Sequence, residues 1–558
     1  MIKEKMMERA ETLRARSLAF SYSGVLLILA AALLLRLFWV TTQTVIENEG
    51  AEYARIAENL FSSVGYVGTM EGPQLYFPPF YPVLIAALIP LTGSSELAGR
   101  LVSALMGAAL VLPVFAIAAR LFSRRVGIIA ALIVTFNPML VALSASVYSE
   151  STFLALVMAG IYFGMRALEA RGPTPAILAG LFFGLAYLTR PEAIGYAFLT
   201  AALLALLGLH RKQLKATLPL ATLLVVTALL VASPYIYYLY TQTGKLRLEG
   251  KSNIVYTIGQ RINSGMSYHE ATYGISNDLK EEGPNLNLNA YVNESPYSKA
   301  PGVFLSYLAT GVLRNAKGLA KELATAFEAA APLLILLGFA GLRRKWPADQ
   351  ALAGAYAMII ALAMTAILLA GHAVLDRYIV PLLPFLIIWG AGGIDTLYEW
   401  ARGVAASRRM PFPNLQQIGI AVMCVMCAVF LLSGLGVFGK RVSRDITQQE
   451  AGLWLSRNAA GPRSVMDNGT ITPYYAQGTW VPFPYADSAL ALRYIEYKRP
   501  SFIVLIGAQR NLRPYLQDWI TSGIPHPKAT LVYRSGETPD QTVAIYAWDG
   551  APLVASQR

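Results

Sequence analysis

The chain has 558 residues, 55% of them hydrophobic and only 14% charged. Soluble domains carry about 25% charged residues, so a wholly soluble protein is excluded and most of the sequence is expected in lipid. The formal net charge of +13 would suggest nucleic acid in a soluble chain. Here the basic residues cluster at the ends of apolar runs, as the positive-inside bias requires, and no nucleic-acid partner is expected.

A bilayer core about 30 Å thick needs about 20 apolar residues of helix. About eleven such spans are read, at 20–41, 96–122, 126–144, 149–168, 173–189, 193–209, 216–240, 323–342, 351–370, 374–397 and 418–437. The charged start, 1–16, reads as a cytoplasmic segment before an uncleaved anchor. With the amino terminus inside, the cytoplasmic turns hold Arg120, Arg124 and Arg125; Arg166 and Arg171; Arg211, Lys212 and Lys215; Arg343, Arg344 and Lys345; and Arg402, Arg408 and Arg409. Every one of these turns is basic. An odd number of spans then puts the tail outside, so a multi-pass protein of a prokaryotic cytoplasmic membrane is expected.

The first outer loop, 42–95, holds a helical stretch at 49–61 and then the run Tyr76-Phe77-Pro78-Pro79-Phe80-Tyr81-Pro82. Proline disfavours a regular helix start there. The apolar stretch 83–91 is too short to span and reads as an interfacial or re-entrant helix. The second outer loop, 241–318, is polar and rich in Asn, Gly and Tyr, the composition of a substrate-contacting or mobile loop. From 441 the periodicity changes. An amphipathic helix at 445–458 is followed by strands at 464–466, 502–506, 530–533 and 542–547, with helices at 487–497 and 512–521. The expectation is an α-helical polytopic membrane domain, 1–440, and a small α/β domain, 441–558, outside the membrane. Cys424 and Cys427 form a C-x-x-C, but inside an apolar run with no further ligand nearby they read as ordinary span residues.

Ionisable side chains at membrane depth are functional candidates. Glu47, Glu49 and Glu52, then Glu150, Arg190 and Glu192, then Asp376 and Arg377 all fall at outer ends of different spans. Each alone has a plain structural reading: acid in a helix's first turn, an ion pair across a short turn, a cap, an interfacial anchor. Together on one side they suit glycosyl transfer. A carboxylate takes the proton of an acceptor hydroxyl, and arginines hold a departing phosphate through planar paired donors.

At these residues the sequence resembles the GT-C glycosyltransferases, in particular the branch related to protein O-mannosyltransferases and to the aminoarabinose transferase of lipid A. The resemblance covers nearly the whole chain. It rests on Glu49-Gly50-Ala51-Glu52-Tyr53, Pro78-Pro79-Phe80-Tyr81-Pro82, Arg100-Leu101-Val102-Ser103-Ala104, Ser149-Glu150, Leu188-Thr189-Arg190-Pro191-Glu192, and Asp376-Arg377-Tyr378 followed by Pro381 and Pro384. The resemblance implies an inverting transfer from a polyprenyl-phosphate-linked sugar to a lipid A, surface polysaccharide or protein acceptor. Glu49 becomes the expected base, with Glu52 or Glu47 as substitutes, and Glu150 the second acidic position. Arg377, Tyr378 and Arg190 are expected near the carrier phosphate, and Tyr53, Tyr81, Glu192 and Asp376 near donor or acceptor. Two departures stand out. Relatives usually begin the acidic motif with Asp, often Asp-Glu, where this chain has Glu49-Gly50. Some carry Lys where this chain has Phe77. Some relatives bind a divalent ion. With four histidines, of which His269 and His372 fall on the outer face of the membrane part, no obligatory metal is expected. Two other readings compete: a transporter or flippase, and a non-catalytic envelope assembly protein. The charges lie at span ends and not at the midplane, where transporter sites lie.

Overall fold

The computed structural model describes residues 24–169, 172–292, 301–325, 335–339, 346–370, 379–408, 446–461 and 463–554. The chain forms a helical membrane bundle with an α/β layer docked on one end. Helices are numbered in chain order: α1 Gly24–Val40, α2 Asn48–Phe61, α3 Phe80–Thr92, α4 Ser95–Ala109, α5 Val111–Leu121, α6 Arg124–Phe136, α7 Pro138–Ala145, α8 Glu150–Glu169, α9 Pro173–Tyr187, α10 Ala193–His210, α11 Leu214–Thr243, α12 Ser252–Asn263, α13 Tyr268–Tyr273, α14 Leu288–Val292, α15 Pro301–Thr325, α16 Ala348–Ala370 and α17 Leu383–Ser407. Among the described residues, six helices are long and apolar enough to cross a bilayer, and seven if α6 and α7 form one bent span. Helix is found wherever an expected span falls on described residues. The span expected at 323–342 is described only at 323–325 and 335–339, and that at 418–437, with Cys424 and Cys427, lies outside the described residues.

Three features depart from the sequence reading. Helix α3 begins at Phe80, inside the proline-rich run. Pro82 sits in its first turn, where the missing N–H is an orphan anyway. The second loop is more ordered than its composition suggests, with α12 to α14 and the 25-residue α15. The span at 126–144 is broken by 53° before Pro138. Pro138 leaves the carbonyl of Val134 without its helical donor. The fully buried Arg36 of α1 supplies one, donating from Nη2 to Val134 O at 3.2 Å and from Nη1 to Thr135 O at 3.4 Å.

Elsewhere the bundle packs through small residues. A Cβ on Gly180 of α9 would come within 2.4 Å of the Leu224 carbonyl of α11, and one on Gly184 within 2.7 Å of Val231. These two glycines, four apart, let the helices touch backbone to backbone.

The carboxy-terminal part holds α18 at 446–458, α19 Ile471–Tyr475, α20 Ser488–Lys498 and α21 Leu516–Ser522. Its five strands are β1 Ser464–Asp467, β2 Thr479–Pro482, β3 Phe502–Ile506, β4 Ala529–Ser535 and β5 Val543–Trp548, in the order β2-β1-β3-β5-β4. β1 pairs parallel with β2 and β3, while β5 pairs antiparallel with β3 and β4. β3 is buried on both faces. Ile503 and Leu505 enter the core under α20 and α21, and Phe502, Val504 and Ile506 enter the core under α18. This period-two division makes a layered domain. The short β2 and α19 between the expected elements escaped the sequence reading.

The layer is tied to both loops. Tyr475 Oη donates to Glu96 (2.9 Å) and accepts from the Ile46 N–H (3.2 Å). Arg55 Nη2 donates to Tyr474 O (2.9 Å), and the Trp480 N–H to Thr69 O (2.7 Å). On the second loop, Lys498 pairs with Glu281 at 2.6 Å and the Tyr485 N–H donates to Tyr273 O at 2.7 Å.

Candidate active site

Helix α2 sets the site. Its apolar face, with Ala51, Ala54 and Ala57, packs into a small core with Ala98 and Val102. The opposite edge of the first turns, Asn48, Glu49 and Glu52, lines a cavity of about 740 Å³ between the two loops and the α/β layer. Gly50 explains the departure at the acidic motif. A Cβ there would lie 2.8 Å from the Val147 carbonyl oxygen and 2.9 Å from Val147 Cβ. Glu47 closes the same contact by accepting the Val147 N–H at 3.1 Å. The helix approaches the loop before α8 too closely for a second acid at position 50.

Glu47, just before α2, and Glu49 and Glu52 in its first turns therefore do different things. Glu47 holds the 146–149 turn. Glu52 is 7% exposed and its carboxylate is filled. It accepts the Thr69 N–H at 3.0 Å, the Thr69 hydroxyl, and Gln74 Nε2 at 2.7 Å. Burial raises its carboxyl above the usual range, against the pull of those donors and of Arg55. Glu49 faces the cavity, half-buried, one turn before Tyr53 on the same face.

Tyr53 links this turn to the second acidic position. Its hydroxyl donates to Ser149 Oγ at 3.0 Å. Burial pushes that hydroxyl far up, and the charges of Glu49 and Glu150 push it further, so it stays a donor. Glu150, 3% exposed, accepts from Arg190 Nη1 at 3.2 Å, and its Oε2 has no hydrogen-bond partner among the described residues. Arg190 also binds Glu192 through Nε at 2.8 Å and lies 5.5 Å from the centre of the Phe153 ring. Burial opposes ionisation of Glu192, but the charges of Arg190 and Lys251 prevail and hold its carboxyl below the usual range.

Sequence reasoning missed the cavity cations Lys251, Lys498 and Arg499. Lys251 lines the cavity with Nζ 5.0 Å from the centre of the Tyr76 ring. The signal was available: Lys245, Arg247 and Lys251 form a short basic run directly after the α11 span. Tyr81 is placed differently from expectation. It is fully buried, its hydroxyl shared between Ser103 Oγ (2.8 Å) and Gly99 O (3.2 Å), and its ring packs edge-on against Tyr53. Asp376, Arg377, Tyr378 and His372 lie outside the described residues. The aromatic segments of the α/β layer divide: Tyr474 and Tyr475 dock the first loop, Trp480 to Pro482 line the cavity, and Phe483 fills the domain core.

Comparisons with known proteins agree on the architecture. The family described as dolichyl-phosphate-mannose-protein mannosyltransferase matches residues 77–238. A comparison with curated protein sequences finds no match. ArnT from Cupriavidus metallidurans superposes in its apo state with a TM-score of 0.59 at 17% identity, covering 94% of this chain and 97% of that one. The same protein bound to undecaprenyl phosphate gives 0.56 at 17% identity, covering 95% and 98%. The Archaeoglobus fulgidus oligosaccharyltransferase, tethered to an acceptor peptide, gives 0.52 at 12% identity, covering 96% of this chain and 74% of that one.

Proposed function

Taking the chain as a multi-pass membrane protein with the GT-C fold, we propose that it moves a sugar from a polyprenyl-phosphate carrier to an acceptor hydroxyl on the outer face of a prokaryotic cytoplasmic membrane. The observation that carries this reading is the placement of Glu49. A half-buried carboxylate lines a large cavity, on the helix whose next turn reaches the Glu150–Arg190–Glu192 cluster.

In the proposed reaction the acceptor oxygen attacks the anomeric carbon from the face opposite the phosphate. The new C–O bond forms as the bond to the phosphate oxygen breaks, and the electron pair leaves with the carrier phosphate. The acceptor proton passes to Glu49. Lys251, together with Arg377 and Tyr378 by their motif, meets the charge of the leaving phosphate. Arg190 is already shared by two carboxylates, and we assign it to holding Glu150 in place. Glu52 is assigned to ordering the first loop. The reading needs no obligatory metal, since side-chain cations supply the charge.

Charge supports the proposed orientation. Arg120 and Arg125 lie at the bundle end away from the α/β layer, pairing with Glu169 at 2.8 Å and Asp395 at 3.2 Å. That end is assigned to the cytoplasm and the layer to the outside. The transporter and assembly readings predict no turnover. The test is release of free lipid phosphate from a panel of polyprenyl-phosphate sugars by purified protein. Turnover of at least one donor is expected, and none across the panel would reject the proposal.

A further inference from the structure

The second loop carries the run Asn285-Leu286-Asn287-Leu288-Asn289, which the proposed reaction does not use. Its alternation has a structural cause. Leu286, 2% exposed, is pegged into the core of the α/β layer, while Leu288 packs against the core of the helical bundle. The run bridges the two parts, and all three asparagines are left lining the wall of the cavity that holds Glu49. Asn285 Nδ2 reaches the Tyr273 hydroxyl at 3.4 Å, and Asn287, exposed, accepts the Ala290 N–H at 3.3 Å. Tyr76 and Trp480 are among the aromatic residues that line the same cavity. Tyr76 is held edge-on by Phe77 at 4.8 Å, and Trp480 is fixed by Nε1 donating to Asp467 O at 3.0 Å.

We infer that the wall of this cavity formed by the three asparagines and Trp480 is the acceptor subsite and that the acceptor is a glycan chain; the inference rests on the glycosyltransferase reading above. A carboxamide offers both donors and an acceptor, which matches a sugar hydroxyl in either role. A fixed aromatic face takes the C–H side of a pyranose. The wall suits the competing acceptors poorly. A peptide would add to a strand edge, and β2 is the edge strand on the cavity. That edge is blunted: the Trp480 N–H is bound to Thr69 O, and Pro482 has no N–H. Ile254, Val255 and Leu288 also line the cavity, but with the three asparagines, Lys498 and Arg499 its lining is more polar than apolar, which disfavours an acyl chain.

The test uses full-length protein in a sugar-free detergent. Binding is measured by calorimetry to tetrasaccharides of mannan, glucan, galactan and arabinan type, to a Ser/Thr-rich peptide, and to lipid A micelles. Lipid-phosphate release by the wild type is followed separately. At least one tetrasaccharide should bind. Asn287→Ala and Trp480→Ala should each weaken that binding at least tenfold, and Trp480→Phe should keep it within about threefold, with all variants eluting as the wild type does on size exclusion. Binding of a tetrasaccharide lost in these variants, but without donor turnover by the wild type, would uphold the glycan site and reject the transferase reading. Donor turnover with only peptide or lipid A bound, or tetrasaccharide binding indifferent to both substitutions, would overturn the glycan assignment.

Discussion

Two carboxylates of similar burial have separable consequences. Glu52 receives three donors from the first loop, and hydrogen bonds to a charged group are worth about 1.5–3 kcal/mol each. Glu52→Gln puts an N–H₂ against one of those donors. We expect a lower midpoint of thermal unfolding and faster proteolysis within 62–79, and an unchanged cleavage rate there would contradict the role. Asp467, at the end of β1, is fully buried, with Oδ1 accepting the Gly469 N–H at 3.2 Å and Oδ2 without a partner among the described residues. Burial raises its carboxyl to about 7, against about 3.9 unfolded. Between those values the folded chain keeps a proton that the unfolded chain has released. The stabilisation is therefore full below about pH 4 and is lost as pH rises through 7. Asp467→Asn should flatten the fall of the unfolding midpoint between pH 4 and 7, and parallel profiles for variant and wild type would refute the assignment.

At the scale of elements, the bent α6–α7 span depends on a residue of another helix. Arg36 donates to carbonyls that Pro138 and the break leave open, and an orphaned backbone acceptor costs about 1–3 kcal/mol. Arg36→Leu should lower the midpoint of thermal unfolding in detergent, and an unshifted midpoint would show that the break satisfies itself. This pairing also marks the reach of sequence reading. Hydropathy found the spans, and the short β-rich apolar run Phe502–Ile506 found the central strand, because both are local patterns. The break before Pro138 is local too, but its donor lies about a hundred residues upstream and carries no periodic signal. The same holds for the acidic motif. Spacing placed Glu49, Glu52 and Glu150 on one side, but only the contacts of Glu47 with Val147 and of Glu52 with Thr69 and Gln74 separate these two, which hold loops, from Glu49. Lys251 was hidden differently, in a loop whose composition reads as mobile.

Across the whole molecule, the site exists because three sequence-distant parts converge on α2: the turn before α8, the second loop, and the α/β layer that roofs the cavity. The layer is fixed through Asn48 itself, whose Oδ1 accepts the Thr470 N–H at 2.8 Å next to Glu49. Domain docking and site geometry are thus one arrangement. In the proposed reaction side-chain cations meet the leaving phosphate, so treatment with EDTA is expected to leave turnover within about twofold, and a loss restored by Mg²⁺ or Mn²⁺ would contradict that assignment.

Single-turnover transfer from the active donor by wild type and by Glu49→Gln, with equal donor binding confirmed for both, isolates the part Glu49 plays in the chemical step. Loss of a general base costs about 10²–10⁴-fold in rate. A fall in that range with donor still bound is expected, while transfer by Glu49→Gln at close to the wild-type rate would remove Glu49 from the reaction and contradict the proposed mechanism.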